Sequence, residues 1–360
     1  MGTIRAAVCH AFGAPLVVED LDLRAPRGRE VEVTLSAVAI CHSDITYASG
    51  DWGGALPAVY GHEASGRVTA LGPDARGVAI GDTVIVSLIR ACGSCPSCSG
   101  GRTVACETPI DPDETPLRTL GGDPVVQAMA TGGFAEKVVV DQSQISPIPA
   151  HVPMASAALL ACGVITGVGA VVNAARLRAG QDVVVIGAGG VGLNAIQGAR
   201  IAGARRIVAV DMTEEKLADA RAFGATDGVL ASQDMPWREA KAIMGRGADA
   251  VIVTVGVVAA YNAAPRYLAA GGMIVMVGMP QSDAEAQYVP VNFASAGQSM
   301  VGSKMGDAVL ARDIPWLIDL YGQGRLELDA LVSKTWSLDQ INEAIADTRA
   351  GSARRNVIVF

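Results

Sequence analysis

The sequence predicts an α/β protein of two domains: a β-rich body, with a doubly wound parallel sheet inserted into it. Three observations carry this. The chain has 360 residues, too many for one ordinary core. Short alternating or apolar runs, separated by Gly, Pro and Asp, dominate up to about residue 162. Beyond that point continuous apolar strands alternate with helical segments, the pattern of a parallel sheet covered by helices.

In chain order, "AAVCHAF", "PLVVEDLDL", "EVEVTLSAVAIC", "ASGRVTALG" and "DTVIVSLI" read as antiparallel strands of a barrel-like body. "GGFAEKVVVDQSQISPIP" adds a further strand and its exit. "DVVVIGAGGVGLNAIQGARIAGA" is a buried strand, a Gly-rich turn and a helix, and "RRIVAVD" a second buried strand. "TEEKLADARAFGA" reads as helix, "ADAVIVTVG" as strand, "YNAAPRYLAAGG" as helix and "MIVMVG" as strand. The pattern departs again near residue 300, and "RRNVIVF" closes the chain as a strand of the first body. The expected division is 1–162 with 300–360 for the β-rich domain and 163–299 for the inserted one. Repeats and low-complexity tracts are absent from the sequence.

Composition removes several function classes. Half the residues are hydrophobic and 18% are charged, so a large core can be buried. The net charge of -8, with both signs interspersed, lacks the basic face that nucleic acid needs. The opening "MGTIRAAVCH" has no apolar signal region, and apolar runs broken by Gly predict no membrane span. A cytoplasmic protein is expected, binding neither nucleic acid nor membrane. Its seven cysteines then favour metal over disulfides.

"GAGGVG", Gly187 to Gly192, fits G-x-G-x-x-G. It follows strand 183–186 and opens a helix, and the next strand ends in Asp211, 19 residues after Gly192. Gly187 permits the tight turn, Gly189 and Gly190 the approach of backbone to a pyrophosphate, and Gly192 close packing of helix on strand. The helix N-terminus faces the negative charge. Asp211 suits a ribose 2′-hydroxyl and repels a 2′-phosphate, which favours NAD over NADP. The plainer alternatives are glycines that only pack a helix and an Asp that only ends a strand.

"CGSCPSCSGGRTVAC" places Cys92, Cys95, Cys98 and Cys106 where four thiolates can close a tetrahedron. Four sulfurs leave no open position, so structural zinc is expected, with an iron–sulfur cluster or a zinc-ribbon binding module as alternatives. With that loop and Cys9 set aside, Cys41 and Cys162 remain, and His62 is one of four histidines. Two sulfurs and an imidazole make a zinc site with one open position. Beside a nicotinamide such a site suits alcohol oxidation: the metal favours loss of the hydroxyl proton, and the cofactor accepts hydride. Taken singly, each of the three residues is equally well an ordinary buried side chain.

"CHSD", "GHEASG", the four-cysteine loop, "ACGVITG" and "GAGGVG" occur here in one order along nearly the whole chain. In that order they resemble the zinc-dependent medium-chain alcohol dehydrogenases. The resemblance implies a GroES-like catalytic domain beside a Rossmann domain, with the site between them, and a homodimer or homotetramer built through the Rossmann sheet edge. It assigns Cys41, His62 and Cys162 to catalytic zinc, Asp44 to orienting the histidine, and Glu63 to a neighbouring acid or alternate ligand. It assigns Ser43 to the hydroxyl beside the reacting oxygen, and His42 and Arg355 to cofactor phosphates. Thr166 and Val191 fall near the nicotinamide, and Lys216 near the adenosine ribose. Trp52, Leu88 and Met129 fall near the substrate wall.

There are departures from the family pattern. Thr46 stands where many relatives carry the histidine that ends a proton relay, so Ser43 and Thr46 with ordered water are the expected path. Asp51 lies near an acid used by thiol-adduct formaldehyde dehydrogenases, but Gly53 replaces the second acid. Segment 107–133 is short and acidic against longer relatives, and its "DPDET" reads as a solvated loop. The function predicted is NAD-dependent oxidation of primary or secondary alcohols with apolar or aromatic groups, with two zincs per chain. Its rivals are the thiol-adduct enzyme, a zincless reductase of the same superfamily, and a non-catalytic NAD and zinc sensor.

Overall fold

The computed structural model describes residues 2–110 and 114–360. The chain divides into two compact units. One holds the chain to Cys162 with Val309–Gly324 and Leu328–Phe360; the other holds Gly163–Ala308 with Arg325–Glu327.

Among the described residues the first unit carries two sheets. Strands Gly2–Cys9, Val17–Leu23, Leu117–Thr119, Pro124–Gln127 and Ala58–Val59 close a small barrel. The larger sheet runs in the order Ile145–Pro147, Thr83–Ser87, Glu63–Leu71, Glu30–Ala39, Arg355–Val359, Val332–Trp336, with Lys137–Asp141 also on Glu30–Ala39. Strand Glu30–Ala39 shows why it forms: Val31, Val33, Leu35 and Ala37 are buried while the residues between them are half-exposed. Its last three residues are buried on both faces, and there the sheet approaches the residues singled out above. Not every pairing is antiparallel: Val332–Trp336 on Arg355–Val359 and Ala58–Val59 on Pro124–Gln127 run parallel.

The second unit is a six-stranded parallel sheet, again among the described residues. Its order is Asp227–Leu230, Arg206–Asp211, Asp182–Ile186, Ala248–Val253, Leu268–Met276, Ser299–Gly302. That is the 3-2-1-4-5-6 order of a dinucleotide-binding sheet. The central strand Asp182–Ile186 is buried at every position, as its unbroken apolar run requires.

Four expectations need correction. Residues 300–308 belong with the second unit, because Ser299–Gly302 pairs as an edge strand on Leu268–Met276. Residues 325–327 join it through Gln197, which donates to the Glu327 carbonyl and accepts from the Glu327 amide at 3.0 and 2.7 Å. The helix expected over 261–272 is Val258–Ala263 followed by a 3-10 turn, Ala264–Tyr267. Pro265 sits inside that turn, and Leu268 is already extended. Finally, Met154–Ala174 forms one helical run of 21 residues with mean hydropathy 2.1, long and apolar enough to cross a membrane. It is a core helix instead, with 89% of its apolar window buried within the protein. Glycine does not break it, because Gly167 and Gly169 let backbone come close: a Cβ would lie 2.4 Å from the Val191 carbonyl oxygen and 2.3 Å from that of Gly306. Strand Asp227–Leu230 and helix Pro236–Met244 were not read from the sequence, although the helix is amphipathic, with Pro236 at its start and Ala240 and Met244 buried.

Phe134 is among the largest fully buried side chains of the first unit and packs against Gly61, beside His62. Phe134→Ala should cost about 3–5 kcal/mol, read as a lower midpoint in denaturant unfolding.

Candidate active site

In the first unit, three chain segments deliver ligand-type atoms to one point. Cys41 follows strand Glu30–Ala39 and caps helix His42–Ser49. His62 immediately precedes strand Glu63–Leu71, and Ala39 lies opposite Glu63 in the sheet register. Cys162 comes from the long helical run, within a π-helical turn, Leu160–Val164. The ligand atoms of Cys41, His62, Glu63 and Cys162 all lie within 4.8 Å of one another, and all four residues are buried.

Asp44, 1% exposed, gathers the first two segments. One carboxylate oxygen accepts from the Cys41 amide at 3.0 Å. The other accepts from the Gly61 amide at 2.9 Å and faces His62 Nδ1 at 3.0 Å. That fixes the ring orientation and leaves Nε2 buried without a hydrogen-bond partner. Arg355 is buried, and its guanidinium pairs with Glu63.

The charges around these atoms suit a cation. Donation from Cys162 holds the Cys41 thiol well below its ordinary range, against the effect of burial, with His62 and Arg355 adding to it. Cys162 is pushed well above, by Cys41 and by burial. Burial disfavours charge on His62, but Asp44 and Cys41 outweigh it and raise its pKa. Burial pushes Glu63 up to about 7 against the pull of Arg355. Arg355 loses hydration, yet Glu63 and the two sulfurs keep it charged. The buried groups shift one another in opposite directions, and an unpartnered imidazole nitrogen beside two sulfurs is a fitting donor set for zinc.

The second cluster lies in the cysteine loop. The sulfurs of Cys92, Cys95, Cys98 and Cys106 also fall within 4.8 Å of one another. Backbone amides support them: those of Ser94 and Cys95 donate to Cys92, those of Cys98 and Glu107 to Cys95, and that of Cys92 to Cys106, at 3.2–3.4 Å. Cys92 is lowered to about 5 by hydrogen bonds from Thr108, Ser94 and Cys95. All seven cysteines are free of disulfides. Cys106 is also lowered, while the neighbouring sulfurs push Cys98 up to about 12; four sulfurs gathered at one point fit a closed structural metal site.

The remaining predicted residues fall as follows. Ser43 Oγ lies 3.7 Å from Cys41 Sγ. Thr46 donates its hydroxyl to the His42 carbonyl at 2.9 Å, so in this rotamer it accepts a proton but does not forward one. His42 is exposed in the first helical turn. Trp52 packs edge-on to Tyr47 at 5.1 Å, Leu88 is half-buried, and Met129 packs on the core of the first unit. Gly53 has φ +69°, a conformation that disfavours an acid there. Residues 111–113 of the acidic loop lie outside the described residues; Thr115 is buried rather than solvated and donates to the Val125 carbonyl at 2.6 Å.

In the second unit the three motif glycines differ. Gly187 has φ +97°. A Cβ on Gly192 would lie 1.8 Å from the Gly187 carbonyl oxygen, whereas one on Gly189 would meet no atom within 4 Å. Gly190 and Val191 are half-buried in the first turn of helix Gly190–Ile201. Asp211 accepts from the amides of Ala188 and Met212 at 2.6 and 2.7 Å, which pins it beside the Gly-rich turn. Lys216 is half-buried in the first turn of helix Glu214–Ala222. Thr166 is buried and donates to Met305 Sδ at 3.7 Å. Open space over a helix N-terminus beside a pinned carboxylate fits a dinucleotide.

Comparison with known proteins agrees with both halves. Residues 27–150 match the family model for the alcohol dehydrogenase GroES-like domain, and 190–323 that for zinc-binding dehydrogenases. An NDMA-dependent alcohol dehydrogenase from Amycolatopsis methanolica is 33% identical over 99% of this chain and 98% of its own. The chain belongs to the zinc-dependent medium-chain alcohol dehydrogenases. The crystal structure of an alcohol dehydrogenase zinc-binding domain protein from Burkholderia ambifaria superposes with a TM-score of 0.96 at 34% identity, covering 100% of this chain and 99% of the other. Benzyl alcohol dehydrogenase from Acinetobacter calcoaceticus gives 0.94 at 30%, covering 100% of both. Within this alcohol dehydrogenase family member, sequence reading missed the residues that brace the donor set. Ser87 donates to the Ala161 carbonyl at 2.7 Å, and Gln144 donates to the carbonyls of Ser87 and Ala130 at 3.0 and 2.9 Å. Neither residue belongs to a local motif.

Two tests follow from this geometry. Asp44→Asn should weaken metal at the Cys41–His62–Cys162 site about 10–100-fold, measured by chelator competition, while the four-cysteine site keeps its metal. Gly192→Ala should lower soluble yield and thermal midpoint, because backbone must move. Gly189→Ala should keep the parental midpoint and lose dinucleotide affinity by calorimetry.

Proposed function

We propose that this chain is an NAD-dependent alcohol dehydrogenase with two zincs, one catalytic and one structural. It would oxidise primary or secondary alcohols bearing apolar or aromatic groups, and reduce the carbonyl in reverse. The observation that carries the reading is the buried set of Cys41, His62 and Cys162, with His62 Nε2 unpartnered. A set of three protein donors leaves a fourth position for substrate. Zinc held there supplies Lewis acidity for loss of the alcohol proton.

Around it the chain's own residues have separate tasks. Asp44 keeps the imidazole oriented toward the sulfurs. Ser43, beside Cys41, takes the hydroxyl proton and passes it through ordered water toward solvent, and Thr46 joins that path only by turning its hydroxyl away from the His42 carbonyl. Glu63, held by Arg355, keeps a second carboxylate within reach of the metal position. Trp52, Leu88 and Met129 provide apolar surface for the substrate. In the second unit the Gly187–Gly192 turn would take the pyrophosphate and Asp211 the ribose, with Thr166, Val191 and Lys216 as further cofactor contacts; His42 and Arg355, which belong to the first unit, are the residues proposed for cofactor phosphates. NAD held by these residues would supply the hydride acceptor.

The proposed assembly is a homodimer or homotetramer, with no nucleic-acid or membrane partner, in the cytoplasm. Support for self-association is the edge strand Ser299–Gly302, together with the exposed Met279, Tyr288, Val289 and Val291 that precede it in the chain. Free cysteines suit a reducing compartment.

The decisive assay follows NADH absorbance with aliphatic, aromatic and polyol alcohols. Parallel arms carry NADP, NDMA, a thiol with formaldehyde, or a chelator. Chelator-sensitive NADH formation from an apolar or aromatic alcohol is expected. Activity confined to thiol plus formaldehyde would assign the adduct reaction instead. Silence in zinc-loaded protein that binds NAD would favour a sensor. Ser43→Ala should lower kcat by on the order of 10²-fold, and Thr46→Ala far less. Full activity in Ser43→Ala removes the relay.

A further inference from the structure

Two of the three metal-donor segments are fixed by the sheet and by Asp44, which accepts from the Cys41 and Gly61 amides and faces His62. Cys162 is not on the sheet, and Asp44 does not reach its segment by any hydrogen bond described above. It sits in a π-helical turn, where one extra residue per turn disturbs the ordinary pairing of helix carbonyls and amides. Such a turn needs an outside partner to hold one side chain in one place.

Ser87 is placed to be that partner. It is fully buried at the end of strand Thr83–Ser87. In the sheet register it stands opposite Glu63, next to His62. Its hydroxyl donates to the Ala161 carbonyl, one residue before Cys162, at 2.7 Å. The Ser87 carbonyl in turn accepts from Gln144, itself 1% exposed. One side chain thus ties the strand pair that carries His62 and Glu63 to the helical turn that carries Cys162.

We propose that Ser87 is a positioning residue for Cys162, completing the ligand triangle that Asp44 holds on its other two corners. It touches neither substrate nor cofactor. The proposal rests on the metal reading above. A useful control lies on the same helical run: Ser65 donates to the Met154 carbonyl at 2.7 Å, eight residues before Cys162. Ser65→Ala loses the same type of bond from the same run, without touching the π turn.

The test uses the full-length chain loaded with zinc or with cobalt(II). Zinc transfer to a chromophoric chelator should show two classes per chain. In Ser87→Ala the class from Cys41–His62–Cys162 should leave about 10-fold faster or more. The four-cysteine class should be unchanged, and the cobalt ligand-field bands of the catalytic site should shift. Ser65→Ala should match the parent in both readouts. Ser87→Thr, which keeps the hydroxyl, should restore slow release. Parental release and spectrum in Ser87→Ala overturn the proposal. Equal acceleration in Ser65→Ala also overturns it, since that would mark mere docking of the helix. If Ser87→Ala does not fold, Ser87→Cys, with a weaker donor, takes its place; parental release from it has the same meaning. A parent chain that binds metal only at the four cysteines would instead overturn the metal assignment itself, and is recognised by its single release class.

Discussion

A carboxylate shut away from water organises this molecule's chemistry. Asp44 is buried among the elements it joins, and burying a charge is costly unless its lone pairs are used. Here two backbone amides and an imidazole use them. Those three partners come from the start of a helix and from the residues leading into a strand. Satisfying one side chain therefore fixes where two chain segments meet. The sheet register agrees, since Ala39 and Glu63 are opposite one another just before Cys41 and just after His62. The donor set is a by-product of a fold in which these segments have no freedom to part.

The two candidate metal sites solve the same problem by different means. In the cysteine loop the backbone itself solvates the sulfurs through a run of amide donors, and the site is closed. At Cys41, His62 and Cys162, side chains do the work, and Arg355 with Glu63 adds a buried ion pair on one flank. The loop offers four sulfurs, whereas the other set offers two sulfurs and an imidazole with the Glu63 carboxylate within reach.

What was legible in the sequence was whatever is local. Cysteine spacing marks the loop, and the Gly-rich turn between a strand and a helix marks the dinucleotide element, because each is made of neighbours. The unbroken apolar run 183–186 announced a strand buried on both faces. What was not legible depends on partners far along the chain. The seam at 300–308 is decided by pairing with Leu268–Met276, and residues 325–327 by hydrogen bonds to Gln197. The glycines of the Met154–Ala174 run read as interruptions, yet they mark where backbone packs on backbone. Ser87 is invisible for the same reason: a serine at a strand end carries no signal until Ala161 is brought beside it.

The cysteine loop also bears on how the chain is made. Its four sulfurs are drawn from fifteen consecutive residues, so the loop can close on its ion as soon as that stretch leaves the ribosome. The other donor set cannot. It needs Cys41, His62 and Cys162, and its flanking guanidinium comes from Arg355, far later along the chain than all three. During translation the donors of the loop would come together early and those of the other set late. Until Arg355 is in place, Glu63 lacks its counter-charge, and a half-made chain holds its scaffold without yet having a complete centre.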